Sequence, residues 1–111
     1  MGESKQYFYV LHTKDDTFYG GYTTDPVRRL KEHNDGVGAK YTRLPKRRPL
    51  HMIHLEEFST RSDATKAEAS FKKLSRTQKE NYLTTHRATA QKLLTKLFKE
   101  NEHVSDKRKT T

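Results

Sequence analysis

Two aromatic, β-branched runs follow one another near the start of the chain, QYFYVLHT at 6–13 and FYGGYT at 18–23, with only a short polar connection around Lys14, Asp15 and Asp16 between them. Both read as strands, and a connection this short makes them an antiparallel hairpin. Because a strand alternates faces, loop parity decides which side chains meet. A three-residue loop of Lys14, Asp15 and Asp16 pairs Thr13 with Thr17, sets Tyr9 opposite Gly21 and Leu11 opposite Tyr19, and puts Tyr9 and Tyr19 on one face. A two- or four-residue loop would separate them.

The next segment, TTDPVRRLKEHNDG, carries a complete set of helix punctuation. Asp25 is placed to cap the exposed amides, Pro26 suits the first helical position, and Asn34-Asp35-Gly36 closes the far end. Val27 and Leu30 give this helix an apolar edge, while Arg29 and His33 lie one turn apart on a neighbouring face. The stretch GVGAKYTRLPKRRPL at 36–50 reads as a loop with one short helical turn, and LHMIHLEEFS at 50–59 as a third strand. A helix over 61–75 follows, with Thr60 and Asp63 as a variant capping box and Ala64, Ala67, Phe71 and Leu74 as its apolar stripe. A short helix is expected over 77–83 and a last one over 87–100, where Leu93, Leu94, Leu97 and Phe98 dock on the core. The remainder, 101–111, is polar and expected to lack order.

The 111 residues, 31% hydrophobic and 33% charged, allow one domain, about 1–100, with a modest core under a charged surface. Lys and Arg number 23 against 14 acids, a net charge of +9 that attracts polyanions, so nucleic acid is the expected partner. There is no cysteine, which excludes disulfides, thiolate metal sites and a thiol nucleophile. No run of 18 apolar residues occurs, so neither a membrane span nor a signal peptide is expected, and the cytoplasm is the default location.

Candidate chemistry gathers around the hairpin. Gly20 and Gly21 weaken their strand, and glycines in such a place mark either a bulge or the close approach of another group. Tyr9 and Tyr19 stand beside them, and a phenol with its usual pKa of about 10 is a poor base unless positive charge stabilises the phenolate, a role Arg29 or a metal could fill. Glu68 sits at the edge of the apolar stripe of its helix, aimed either outward to a basic surface or inward at a cleft cation. A single carboxylate with waters and phosphate oxygens is a common way to hold Mg²⁺. Two basic runs offer phosphate contacts: KYTRLPKRR, with Lys40, Arg43, Lys46, Arg47 and Arg48 around Tyr41, and KKLSRTQK at 72–79. His51 and His54, three apart in a strand, are expected on opposite faces; with His12, His86 and His103 they read as surface or packing residues, and a zinc site is not expected.

Taken in order, these residues resemble the GIY-YIG nuclease domain over roughly residues 6–84. Phe8-Tyr9 stands for its first motif, with Tyr7 where the family often has glycine; Tyr19-Gly20-Gly21 stands for the second. Arg29 falls at the helix arginine, His33 where a His or Tyr is usual, and Glu68 at the metal-binding glutamate. DGVGAKYTR after the helix looks like the small stand-alone bacterial members. The resemblance implies an α+β fold, a small three-stranded antiparallel sheet flanked by helices, with one Mg²⁺ (or Mn²⁺) and hydrolysis of a phosphodiester in DNA rather than RNA. It implies that Tyr9 or Tyr19 activates water, Arg29 holds the scissile phosphate, Glu68 binds the metal and His33 orients or relays a proton. A monomer is expected, with recruitment by a partner protein as one way to supply grip, and a non-catalytic nucleic-acid-binding module as the alternative function.

Overall fold

The computed structural model describes residues 5–109, with side chains over 5–99. Three strands, β1 (Gln6–His12), β2 (Phe18–Thr23) and β3 (His51–Phe58), form one antiparallel sheet in the order β2-β1-β3. Four helices pack around it: α1 (Pro26–Asn34), α2 (Arg61–Lys72), α3 (Arg76–Thr85) and α4 (Arg87–Lys109). This is the expected α+β architecture, with β2 at an edge.

The hairpin adopts the three-residue loop. Thr13 N–H donates to the Thr17 carbonyl at 2.9 Å, Asp16 N–H to the Thr13 carbonyl at 3.0 Å, and Asp16 takes a positive φ of 64°. A turn ending in one left-handed residue is how three-residue hairpin loops close. Tyr9 therefore pairs with Gly21 and Leu11 with Tyr19, and the two tyrosines share a face.

Alternation along β1 gives the sheet two cores. On one face Tyr7, Tyr9, Leu11, Leu50 and Leu55 pack with Leu30 of α1 and with Leu93, Leu94, Leu97 and Phe98 of α4. On the other Phe8, Val10 and Phe71 pack with Phe18, Ile53, Ala67 and Leu74. A buried polar network crosses that second core: Glu56 accepts a hydrogen bond from the Tyr82 hydroxyl and lies 2.7 Å from His54 Nε2, tying α3 to β3.

The capping residues act as read. Asp25 accepts from Arg28 N–H at 3.1 Å and Thr60 from Asp63 N–H at 3.1 Å, while Ser75 and Gln78 form a full capping box ahead of α3. Four expectations are corrected. The 36–50 stretch holds two 3₁₀ turns, Tyr41–Arg43 and Pro45–Arg47, instead of one. The helix expected to 75 stops at Lys72, where Ser75 caps the next, which spans Arg76–Thr85 instead of 77–83. The last helix runs past 100; the polar tail expected over 101–111 falls outside the described side chains. His51 and His54 are not on opposite faces: the register shifts so that His12 pairs with His51, Leu11 with Met52 and Val10 with His54, and the extra residue returns both histidines to one side. Among the described residues no helix is long and apolar enough to cross a membrane.

Candidate active site at the edge of the sheet

The glycines of β2 create the site by what they leave out. A Cβ on Gly21 would stand 2.4 Å from both Cζ and the hydroxyl of Tyr9, so the Tyr9 phenol lies directly across the strand where a side chain would be. A Cβ on Gly20 would meet Phe71 at 3.3 Å on the opposite face, which lets α2 approach the same edge strand. The pair thus marks close approach from both sides, one of the two readings the sequence left open.

Passing across Gly21, the Tyr9 hydroxyl reaches His33 Nε2 at 2.7 Å, and the Nδ1 of His33 lies 2.7 Å from Thr42 Oγ1. Thr42 donates to the Ala39 carbonyl at 3.1 Å and accepts from the Ala39 amide at 3.3 Å. With its proton so engaged, Thr42 accepts from His33 Nδ1–H, which leaves Nε2 to accept from the Tyr9 O–H. Burial, helped by the nearby Arg29 charge, lowers the His33 pKa to about 4, so the ring is neutral at pH 7 and suits this chain. Gly38 presses on that ring: a Cβ there would be 2.6 Å from Nδ1.

Three further groups bear on the phenol. Burial raises the Tyr9 pKa far above its usual value; the Arg29 guanidinium opposes that, and the charges of Tyr19 and Glu68 add to it. Arg29 is held by Glu32 Oε1 at 2.9 Å and by the Gly38 carbonyl at 3.1 Å. Tyr19 contacts the His33 ring edge-on at 5.3 Å and stacks on Tyr41 at 5.6 Å, with Arg47 covering the far side of Tyr41 at 3.7 Å. From α2, Glu68 bonds Lys72 Nζ at 2.8 Å, and that ammonium lies 5.6 Å from the centre of the Tyr19 ring. The Arg29 guanidinium on α1 and, as the weakest of the influences, the Glu68 charge on α2 both bear on the Tyr9 hydroxyl, although their helices lie on opposite faces of the sheet.

The five expected residues do meet, but they do not all line an open patch. Tyr9 is 1% exposed and His33 0%, forming a closed inner pair, whereas Tyr19, Arg29 and Glu68 reach solvent. Burial also makes Tyr9 a poor phenolate. Within the basic loop two of the arginines have internal partners. Arg47 pairs with Asp15 at 3.3 Å and donates to the Tyr41 carbonyl at 3.0 Å; Arg48 donates to the carbonyls of Asn34 and Arg43, each at 3.4 Å, and its Nε is buried. Both fasten the loop, and Tyr41 contacts the Tyr19 ring and the Arg47 guanidinium. Lys40, Arg43 and Lys46 remain exposed as candidate phosphate contacts. Sequence reasoning misses Thr42, Gly38 and Lys72 as individual contributors: a lone threonine carries no signal, Gly38 stands out only within a motif, and Lys72 only within a charge run.

The site holds two carboxylates, Glu68 beside Lys72 and Glu32 beside Arg29. Among the described residues no group of three or more His, Cys, Asp or Glu could hold an ion. Glu68, its side chain 21% exposed beside Tyr19, still fits Mg²⁺ or Mn²⁺, because such ions keep water and phosphate oxygens for most positions. It does not suit zinc, which takes three or four protein ligands.

Polar groups from a glycine-thinned strand and from helices on both faces gather around one phenol on a small α+β domain. The GIY-YIG catalytic domain family matches residues 5–81, and the chain belongs to it. An UPF0213 protein of Enterococcus faecalis is 69% identical over 83 residues, which cover 75% of this chain and 94% of that one. The solution NMR structure of EF2693 from E. faecalis matches with TM-score 0.52 at 70% identity, covering 73% of this chain and 84% of that one. The UPF0213 protein BH0048 from Bacillus halodurans matches with TM-score 0.50 at 40% identity, over 75% and 86%.

Proposed function

We propose that this chain is a metal-dependent endonuclease hydrolysing phosphodiester bonds in DNA, with branched or otherwise structured DNA as the first substrates to test. The observation that carries this reading is the convergence on Tyr9: His33 at hydrogen-bond distance, Arg29 and Glu68 acting on the same hydroxyl from two helices, and Tyr19 against the His33 ring. In this reading Arg29 binds the scissile phosphate. Tyr19, the phenol that reaches solvent, orients the attacking water. Tyr9 and His33 hold that arrangement from behind and can relay a proton along the Tyr9–His33–Thr42 chain. Glu68 would hold Mg²⁺ or Mn²⁺, which supplies positive charge at the phosphate oxygens when bound. Lys40, Arg43 and Lys46 add a sequence-independent grip. The chain acts in the cytoplasm as a monomer, with a recruiting protein where its own grip is too weak.

The alternative, a nucleic-acid-binding module that does not cut, draws on one observation: Arg29 and Glu68 both have internal partners. Labelled duplex, single-stranded and branched DNA, and RNA, incubated with the protein in Mg²⁺ or Mn²⁺, separate the two. Cleavage is expected, and Arg29→Ala or Glu68→Ala should abolish it while the circular dichroism spectrum stays unchanged. Binding without cutting on every substrate, or cutting that persists in both variants, would defeat the nuclease reading.

A further inference from the structure

Lys72 lies between the two groups the nuclease reading uses from opposite sides of β2. Its Nζ is 2.8 Å from Glu68 Oε2 and 5.6 Å from the centre of the Tyr19 ring, and its Cγ comes within 3.9 Å of where a Cβ on Gly20 would be. The glycine thus lets this side chain lie along the strand edge and carry its ammonium around to the tyrosine. An i,i+4 Glu–Lys pair is common on exposed helices and stabilises them only slightly. This one differs in where it sits: Glu68 is the better shielded member, 21% exposed against 49% for Lys72, and its charge reaches the buried Tyr9 hydroxyl.

A carboxylate oxygen already engaged by an ammonium at 2.8 Å is a poor ligand for a dication, since the two cations compete for one anion and repel each other at close range. A phosphate arriving beside Tyr19 changes the balance. It offers the ammonium a second anion within swing of its flexible four-carbon stem, and a lysine exchanges partners more readily than the planar fork of an arginine. Resting on the nuclease reading of this site, we propose that Lys72 is a positioning residue that holds the Glu68 carboxylate in the free protein and passes to the substrate phosphate on binding, so that divalent-cation binding at Glu68 and nucleic-acid binding favour one another. Such coupling is reciprocal: whatever factor the nucleic acid adds to cation affinity, the cation adds to nucleic-acid affinity.

The test measures Mn²⁺ affinity by electron paramagnetic resonance, with and without a short phosphorothioate duplex that resists cleavage. Lys72→Met is expected to bind Mn²⁺ about three- to tenfold more tightly than the unaltered chain when no duplex is present. Lys72→Arg, which grips a carboxylate through two donors, is expected to bind it more weakly. Lys66→Met, which removes the same charge from an exposed position elsewhere on α2, should change little. Adding the duplex should tighten Mn²⁺ binding in the unaltered chain and do so markedly less in Lys72→Met. Equal Mn²⁺ affinities for Lys72→Met, Lys66→Met and the unaltered chain would overturn the exchange while leaving cleavage and its dependence on Glu68 intact. An unaltered chain whose Mn²⁺ binding is the same as that of Glu68→Gln would remove the metal site itself, and with it both this proposal and the metal-dependent part of the nuclease reading.

Discussion

Gly21 and His33 carry the site's most exacting demands at the scale of single residues. Gly21→Ala would set a methyl 2.4 Å from the Tyr9 hydroxyl, with strand backbone on one side and the buried phenol on the other. It should destabilise the fold by about 1–3 kcal/mol, as overpacking does, and abolish cleavage by displacing Tyr9 from His33. Gly20→Ala meets Phe71 and Phe8 at 3.3 and 3.4 Å, contacts that small ring shifts relieve, so its thermal midpoint should fall less. A Gly21 variant as stable as the Gly20 variant would contradict the placement of Tyr9. His33 makes a pH prediction. Its pKa is lowered to about 4 against an unfolded value near 6.5, so the folded state favours the neutral ring. That contribution is fully present above about pH 6.5 and is lost as pH falls toward 4. Chemical denaturation of the unaltered chain and of His33→Gln from pH 7.5 to 4 should give a stability difference that shrinks through this window; a constant difference would refute it. The meeting of Tyr9 with Tyr19 is legible in the sequence once the hairpin loop is taken as three residues, because strand alternation then puts both on one face. The depth of Tyr9 is not, since burial depends on which helices lie over each face.

Among the elements, α1 and the loop after it form a single support. Asp25 starts α1, and α1 presents Arg29 and His33; the loop returns Gly38 O to Arg29 and Thr42 to His33. Arg48 closes that loop by bonding the carbonyls of Asn34 and Arg43. Asp25→Ala should lower stability by about 1 kcal/mol in urea titrations through loss of the cap, with little change in cleavage under conditions where the chain stays folded. Arg48→Ala should act the other way round on function: the loop loosens, amide exchange at Thr42 quickens, and cleavage falls although Lys40, Arg43 and Lys46 remain. Unchanged exchange at Thr42 would show that the clamp is not needed. The α1 boundaries are readable from Asp25, Pro26 and Gly36, whose preferences are local. The division of the basic run into fasteners and exposed cations is not, because Arg47 and Arg48 are distinguished from Arg43 only by carbonyls and an acid that other segments bring to them.

For the whole molecule the charge balance governs how it meets a polyanion. With Arg47 and Arg48 engaged internally, Lys40, Arg43 and Lys46 are the cations of this loop that remain for phosphates. Replacing all three by Ala should reduce the slope of log affinity against log salt by up to about 2.7 on duplex DNA, about 0.9 for each phosphate no longer neutralised. Replacing Lys92 and Lys96 on exposed positions of α4 should leave it unchanged. Equal effects from the two sets would mean that binding follows net charge and not this face.

Local chemistry was enough, without coordinates, to predict the hairpin, its register once the loop is taken as three residues, the capped helix that follows and the stripe of α2. Each depends on neighbours a few positions apart, through alternation, helical period or a capping bond. Tertiary structure decided what those residues become: Tyr9 and His33 an enclosed pair, Tyr19 and Glu68 groups open to solvent, Arg47 and Arg48 fasteners, and Lys72 a bridge between acid and phenol. Burial and pairing of this kind arise when segments distant in the chain pack on the two faces of one sheet, and no spacing in the sequence encodes which of them will close over a given side chain.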